Sequence, residues 1–137
     1  MPMPVVRFRI DFARGSYVGP GKIELLEAVR DCGSLSQAAR NIGMSYRRAW
    51  LLLESINASF REPATLASTG GKGGGGVTLT RFGLALIARY RELEQDIATL
   101  ASRRLQDIIP AVHRHSTANA GSLRRPVVPR RKAARAA

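Results

Sequence analysis

At 137 residues the chain is long enough for one compact domain and little more. Its net charge of +12 is uneven: residues 110–137 hold seven basic side chains (Arg114, Arg124, Arg125, Arg130, Arg131, Lys132 and Arg135) and no acid, leaving fifteen basic against ten acidic residues, or +5, for residues 1–109. Such a balance points to a polyanion as partner, while a single cysteine, Cys32, excludes an intrachain disulfide framework and no run approaches the ~20 apolar residues of a membrane span.

Residues 5–12 alternate, with Val6, Phe8, Ile10 and Phe12 on one face and Arg7, Arg9 and Asp11 on the other. Period two predicts a strand with one buried face. Residues 15–21 read as a turn region, in which Pro20 suits the first turn of a helix. That helix is expected over 21–32, burying Ile23, Leu26 and Val29. Cys32 falls near its end as a half-buried apolar residue, and Gly33 fits a left-handed C-cap.

Ser34 and Gln37 have the spacing of a capping box, which opens a second helix with Leu35, Ala38, Ala39 and Ile42 on its core face. Gly43 stands where a tight turn wants positive φ, and Ser45 caps a third helix running to about residue 60. Ala39 and Ala49 are small, as two closely crossing helices require. The pair reads as a helix-turn-helix. Trp50, Leu53 and Ile56 lie three apart and are expected on the inner face of the third helix, with Trp50 in the core. Ser45, Tyr46, Arg47 and Arg48 open the helix that would face a duplex. One arginine suits guanine O6 and N7, and the other a phosphate. Ser36 and Gln37 are placed to meet a phosphate at the N-terminus of the second helix.

Pro63 stops the third helix. Residues 64–68 and 77–79 form two short strands around Thr69-Gly-Gly-Lys-Gly-Gly-Gly-Gly76, a hairpin that reads as a wing. At its tip, Gly71, Lys72 and Gly73 would offer unobstructed amides and one charge to a phosphate. A nucleotide-binding loop is not supported, because Lys72 is followed by Gly73 rather than Ser or Thr. Thr80 caps a long helix expected to reach residue 109, before Pro110. Leu86, Tyr90, Leu93, Ile97 and Leu100 alternate in steps of four and three, a short heptad seam that suggests a partner helix and a homodimer. The first turn of that seam is expected against the chain's own domain. Beyond residue 110 no apolar periodicity remains, and the segment reads as a disordered basic tail.

Catalysis finds no support: the two histidines, His113 and His115, fall in that tail, and no carboxylate pair or closed metal site can be assembled by spacing. No cofactor and no metal are expected. The fold class is mostly α with a small β wing. A winged helix-turn-helix covers 1–79, a linker and dimerisation helix covers 80–109, and the basic tail covers 110–137.

The runs Gly33-Ser-Leu-Ser-Gln-Ala-Ala39, Gly43-Met-Ser-Tyr-Arg-Arg-Ala-Trp50, the glycine-rich segment and Leu79-Thr-Arg-Phe-Gly83 together resemble the N-terminal domain of the molybdate-responsive ModE regulators, a winged-helix family related to LysR-type domains. The similarity covers residues 20–105. It implies operator binding as a dimer through residues 45–48 and 70–76, with the seam from Leu86 to Leu100 supplying dimer contact. It also implies control of molybdate uptake or molybdenum-enzyme genes. The 28 residues from 110 onward are too few for the family's molybdate-binding domains, so no small-molecule effector is expected on this chain alone. The expected protein is a cytoplasmic, nucleoid-associated, sequence-specific transcription regulator that binds double-stranded DNA and touches no membrane. The alternative is an architectural protein that coats DNA with little sequence preference, motivated by the tail.

Overall fold

The computed structural model describes residues 4–68 and 76–113. The elements run β1 (Ile10–Ala13), β2 (Ser16–Val18), α1 (Pro20–Cys32), α2 (Leu35–Asn41), α3 (Tyr46–Ser59), β3 (Thr65–Ser68), β4 (Gly76–Leu79) and α4 (Arg81–Arg104). This is a mostly helical winged-helix fold. A separate short 3₁₀ turn, Ile109–Ala111, lies beyond residue 104. Among the described residues no helix is long and apolar enough to cross a membrane.

The N-terminal alternation is real over half its length. Val6, Phe8 and Ile10 are shielded while Val5, Arg7 and Arg9 are exposed. Strand pairing starts only at Ile10, and β1 pairs antiparallel with β2, within the stretch expected as a turn region. A register shift between Asp11 and Ala13 breaks the period there. Phe12 therefore leaves the buried face and meets Phe60 only edge-on, with ring centroids 5.7 Å apart.

Helix α1 is central to residues 1–104, packing on α2, α3, α4 and β4. Pro20 occupies its first turn, and Gly33 closes it at φ 68°, its N–H donating to Val29 O. Ile23, Leu26 and Val29 are buried as expected, together with their neighbours Leu25 and Ala28. Leu25, Leu26, Ala28 and Val29 pack with Leu35, Ala38, Ala39, Ala49, Leu53, Ile56, Ala64 and Ile87 into one core, while Ile23 joins Val18 and Tyr90 in a second cluster.

Strands β3 and β4 pair antiparallel from Thr65↔Leu79 to Ser68↔Gly76, which is the wing. Its root is fastened twice. Thr80 donates its hydroxyl to Pro63 O, its N–H donates to Ala64 O, and its Oγ1 accepts the N–H of Gly83. Val77 N–H donates to Gly33 O at 3.0 Å, tying β4 to the turn that precedes α2. A Cβ on Gly83 would collide with the carbonyl of Ala64, so only glycine lets α4 approach the wing this closely.

The long helix stops at Arg104, five residues short of the expected end. Ile108 and Ile109 both bond back to Leu105 O, which tightens the chain into turns before Pro110.

Candidate nucleic-acid interface

The turn between α2 and α3 is built as its residues require. Gly43 sits at φ 68°, and no other residue of the turn has positive φ. Met44 N–H donates to Ala39 O at 2.8 Å, and Gly43 N–H to Arg40 O at 3.2 Å. Ala39 and Ala49, both fully buried, let the two helices cross. Ser45 is the N-cap of α3, its Oγ accepting from Arg48 N–H at 3.2 Å.

That cap fixes what α3 presents. Ser45, Tyr46, Arg47 and Arg48 are all exposed at its open end. Among the described residues neither Arg47 nor Arg48 is ion-paired, although Arg9, Arg30, Arg89 and Arg91 each have a carboxylate. Between residues 32 and 53 the sequence holds Arg40, Arg47 and Arg48 and no acid. The first turn of α3 thus combines free N–H groups, the positive end of the helix dipole and two unneutralised guanidinium groups.

Ser36 and Gln37 are exposed on the neighbouring α2, but their side chains are engaged. Arg40 donates to Ser36 Oγ at 3.1 Å, and Gln37 Nε2 donates to Asn41 Oδ1 at 2.8 Å. The capping box is therefore half made. Ser34 Oγ accepts Gln37 N–H, while the glutamine side chain turns along the helix instead of back to Ser34. Gly71, Lys72 and Gly73 at the wing tip lie outside the described residues, as do His115 and the basic run from Arg114.

Trp50 does not join the core. It is 46% exposed, whereas Ala49, Leu53 and Ile56 are buried. The inner stripe follows steps of four and three from Ala49, and Trp50 stands about 100° round the helix from it. The tight crossing at Ala49 signals this in the sequence: the residue at the crossing is the centre of the buried face, and its neighbour is not.

The expected seam on α4 divides. Tyr90 is 3% exposed, stacks on Phe8 at 4.6 Å and donates its hydroxyl to Phe8 O at 2.8 Å. Leu86 packs against both core clusters. These two residues belong to the chain's own interior, as expected for the first turn of the seam, although both also stand among its expected dimerisation residues. Desolvation is the main cause of a raised pKa for the Tyr90 phenol. Leu93 and Leu100 are exposed and Ile97 is half-buried.

Three polar anchors were not visible in the sequence. Lys22 is 1% exposed, its Nζ donating to Tyr17 O and Ser55 Oγ at 2.9 Å each and lying 3.4 Å from the Tyr17 ring centroid. Burial, and secondarily the charge of Arg9, holds its pKa below the usual lysine value. Arg91 bridges Glu27 of α1 and Glu94 of α4, and these bonds, that to Glu27 foremost, raise its pKa. Asn57 of α3 holds β3, as described below. Among the described residues no cluster of His, Cys, Asp and Glu is placed to hold a metal.

No protein-family model matches the chain. Among curated proteins it is 41% identical over 88 residues to the molybdenum-pterin-binding protein MopB of Rhodobacter capsulatus, covering 64% of this chain and 33% of that protein. It is 37% identical over 86 residues to the transcriptional regulator ModE of Haemophilus influenzae, covering 63% and 34%. It is 34% identical over 107 residues to the molybdenum transport protein ModE of Azotobacter vinelandii, covering 76% and 40%. The chain spans about a third of the length of the curated relatives it matches.

Proposed function

The chain carries a domain of the ModE type, and we propose that it is a transcription regulator that binds operator DNA as a homodimer. The observation that supports this reading best is the open end of α3, where exposed Arg47 and Arg48 have no ion-pair partner among the described residues and stand beside a capped helix N-terminus. Placed in a major groove, one guanidinium pairs with guanine O6 and N7 while the other meets phosphate. Ser45 and Tyr46 lie within reach of the same strand, and Ser36 and Gln37 of the adjacent backbone. Gly71, Lys72 and Gly73 serve phosphates from the wing. Leu93, Ile97 and Leu100 join two copies, setting two half-sites about one helical turn, roughly 34 Å, or a multiple of it apart. Control of molybdenum-related genes is suggested by the relatives' names and not by this geometry, and a cytoplasmic, nucleoid-associated, non-enzymatic setting goes with the regulator reading.

Selection of bound sites from random duplex DNA tests the proposal. The wild-type chain is expected to enrich a two-fold symmetric site. Arg47→Ala should flatten preference between sites, costing about tenfold on the best one, while Lys72→Ala should weaken all sites alike. Intact preference in Arg47→Ala would remove α3 from the groove. Enrichment of no sequence at all, with tight salt-dependent binding, would favour DNA coating driven by the basic residues beyond 110.

A further inference from the structure

The outer face of α3 carries two large apolar side chains that the core does not use. Trp50 is 46% and Leu51 is 51% exposed. They follow Tyr46 and Arg47 by one helical turn, so Tyr46–Trp50 and Arg47–Leu51 are neighbours on the helix surface. A lone exposed leucine means little, but adjacent exposed apolar groups with a charged rim mark a contact surface. The rim is cationic on its N-terminal side, where Arg47 and Arg48 stand one turn before the pair, and exposed Glu54 stands one turn after it. The surface that complements it must be anionic at its edge and apolar within.

The major groove of B-form DNA has that composition. Phosphates line its rim, and the C5 methyl of thymine is the apolar group on its floor. We propose that Trp50 and Leu51 are specificity-determining residues that read thymine methyl groups. This inference rests on the DNA-binding reading above. One turn separates them from the first-turn arginines, about 6 Å along the helix, so the thymines lie within about two base pairs of the base that Arg47 meets. An apolar protein surface offers nothing to the Arg47 and Arg48 guanidinium groups, which is why DNA is the better occupant.

The test uses the full chain and the site it selects from random duplexes. Each thymine of that site is replaced in turn by deoxyuridine, which removes only the methyl. For the wild type, replacement at one or two thymines of each half-site should weaken binding about fourfold, the worth of one buried methyl. In Trp50→Ala or Leu51→Ala that penalty should vanish, with circular dichroism confirming the fold. Trp50 is also the chain's single tryptophan. Its emission in the wild type should move to shorter wavelength on binding the selected duplex and become protected from acrylamide.

The inference is overturned, with the DNA-binding reading intact, if the site is selected but no deoxyuridine weakens binding more than about twofold. It is equally overturned if the penalty persists in both variants, or if acrylamide quenches Trp50 as well in the complex as in free protein. Self-association that Trp50→Ala abolishes, with no deoxyuridine effect, would assign the face to a second copy. Absence of any site preference would remove both readings together.

Discussion

Asn57 commits its whole amide to the root of the wing. Its Oδ1 accepts the N–H groups of Ala64 and Thr65 at 2.9 and 3.2 Å, and its Nδ2 donates to Thr65 Oγ1 at 3.0 Å. Ala64 is fully buried, so its N–H has no ready substitute in water. Asn57→Ala should therefore cost about 1–3 kcal/mol of stability, read as a lower midpoint in urea with an unchanged slope. Asn57→Asp retains the acceptor for both N–H groups and should cost less. Equal losses in the two variants would show that the donor to Thr65, not the paired acceptor, holds the wing. A polar residue inside a helix, three positions from the end, carries no sequence signature of this role, because its partners lie seven and eight residues further on.

At the scale of elements, Lys22 joins three of them: it stands on α1, bonds the backbone of β2 and reaches Ser55 on α3. Burial disfavours its ammonium form, so its folded-state pKa lies below the 10.5 of the free side chain. Between that lowered value and 10.5 the unfolded chain holds a proton that the folded chain has released. Stability contributed by this site therefore rises with pH across that window and is flat below it. The difference in unfolding free energy between wild type and Lys22→Met should drift toward the wild type as pH climbs to 10.5. Parallel pH curves for the two proteins would refute it.

The helix-turn-helix was legible for local reasons. Gly33, Gly43, Ser34 and Ser45 each act within four residues of where they stand, so spacing alone places the turn and both N-caps. The wing strands followed from Pro63 and the glycine run. What sequence could not resolve depended on distant packing. Trp50 is the exception, because its signal is local: it follows the three-residue spacing of Leu53 and Ile56, but the crossing at Ala49 centres the buried face one residue earlier. Tyr90 fits a heptad seam, yet Phe8, 82 residues earlier, claims both its ring and its hydroxyl. Phe12 follows the alternation until the irregularity in β1 removes it.

For the whole molecule, the proposed dimer rests on the outer half of α4. Leu93 and Leu100 are exposed there and lie seven residues apart, two helical turns along one stripe. Leu93→Glu together with Leu100→Glu should leave the monomer folded, since neither side chain is buried in the chain's own core. Sedimentation velocity is expected to show wild-type dimers and variant monomers at micromolar concentration. Dimers that survive both substitutions would place the contact elsewhere. If the dimer is the DNA-binding form, the same variant should also lose about half of the salt dependence of binding, because each copy releases its own counterions.

The tie between wing and helix-turn-helix bears on how DNA would be gripped. The amide of Val77 is held by the carbonyl of Gly33, the glycine that ends α1 and precedes the cap of α2. With Asn57 of α3 holding β3, wing and reading head are tied through both wing strands. A duplex held by both is measured as with calipers whose jaws are locked. Minor-groove width beside the contacted major groove would then be sampled at one fixed gauge, without any side chain touching a base there.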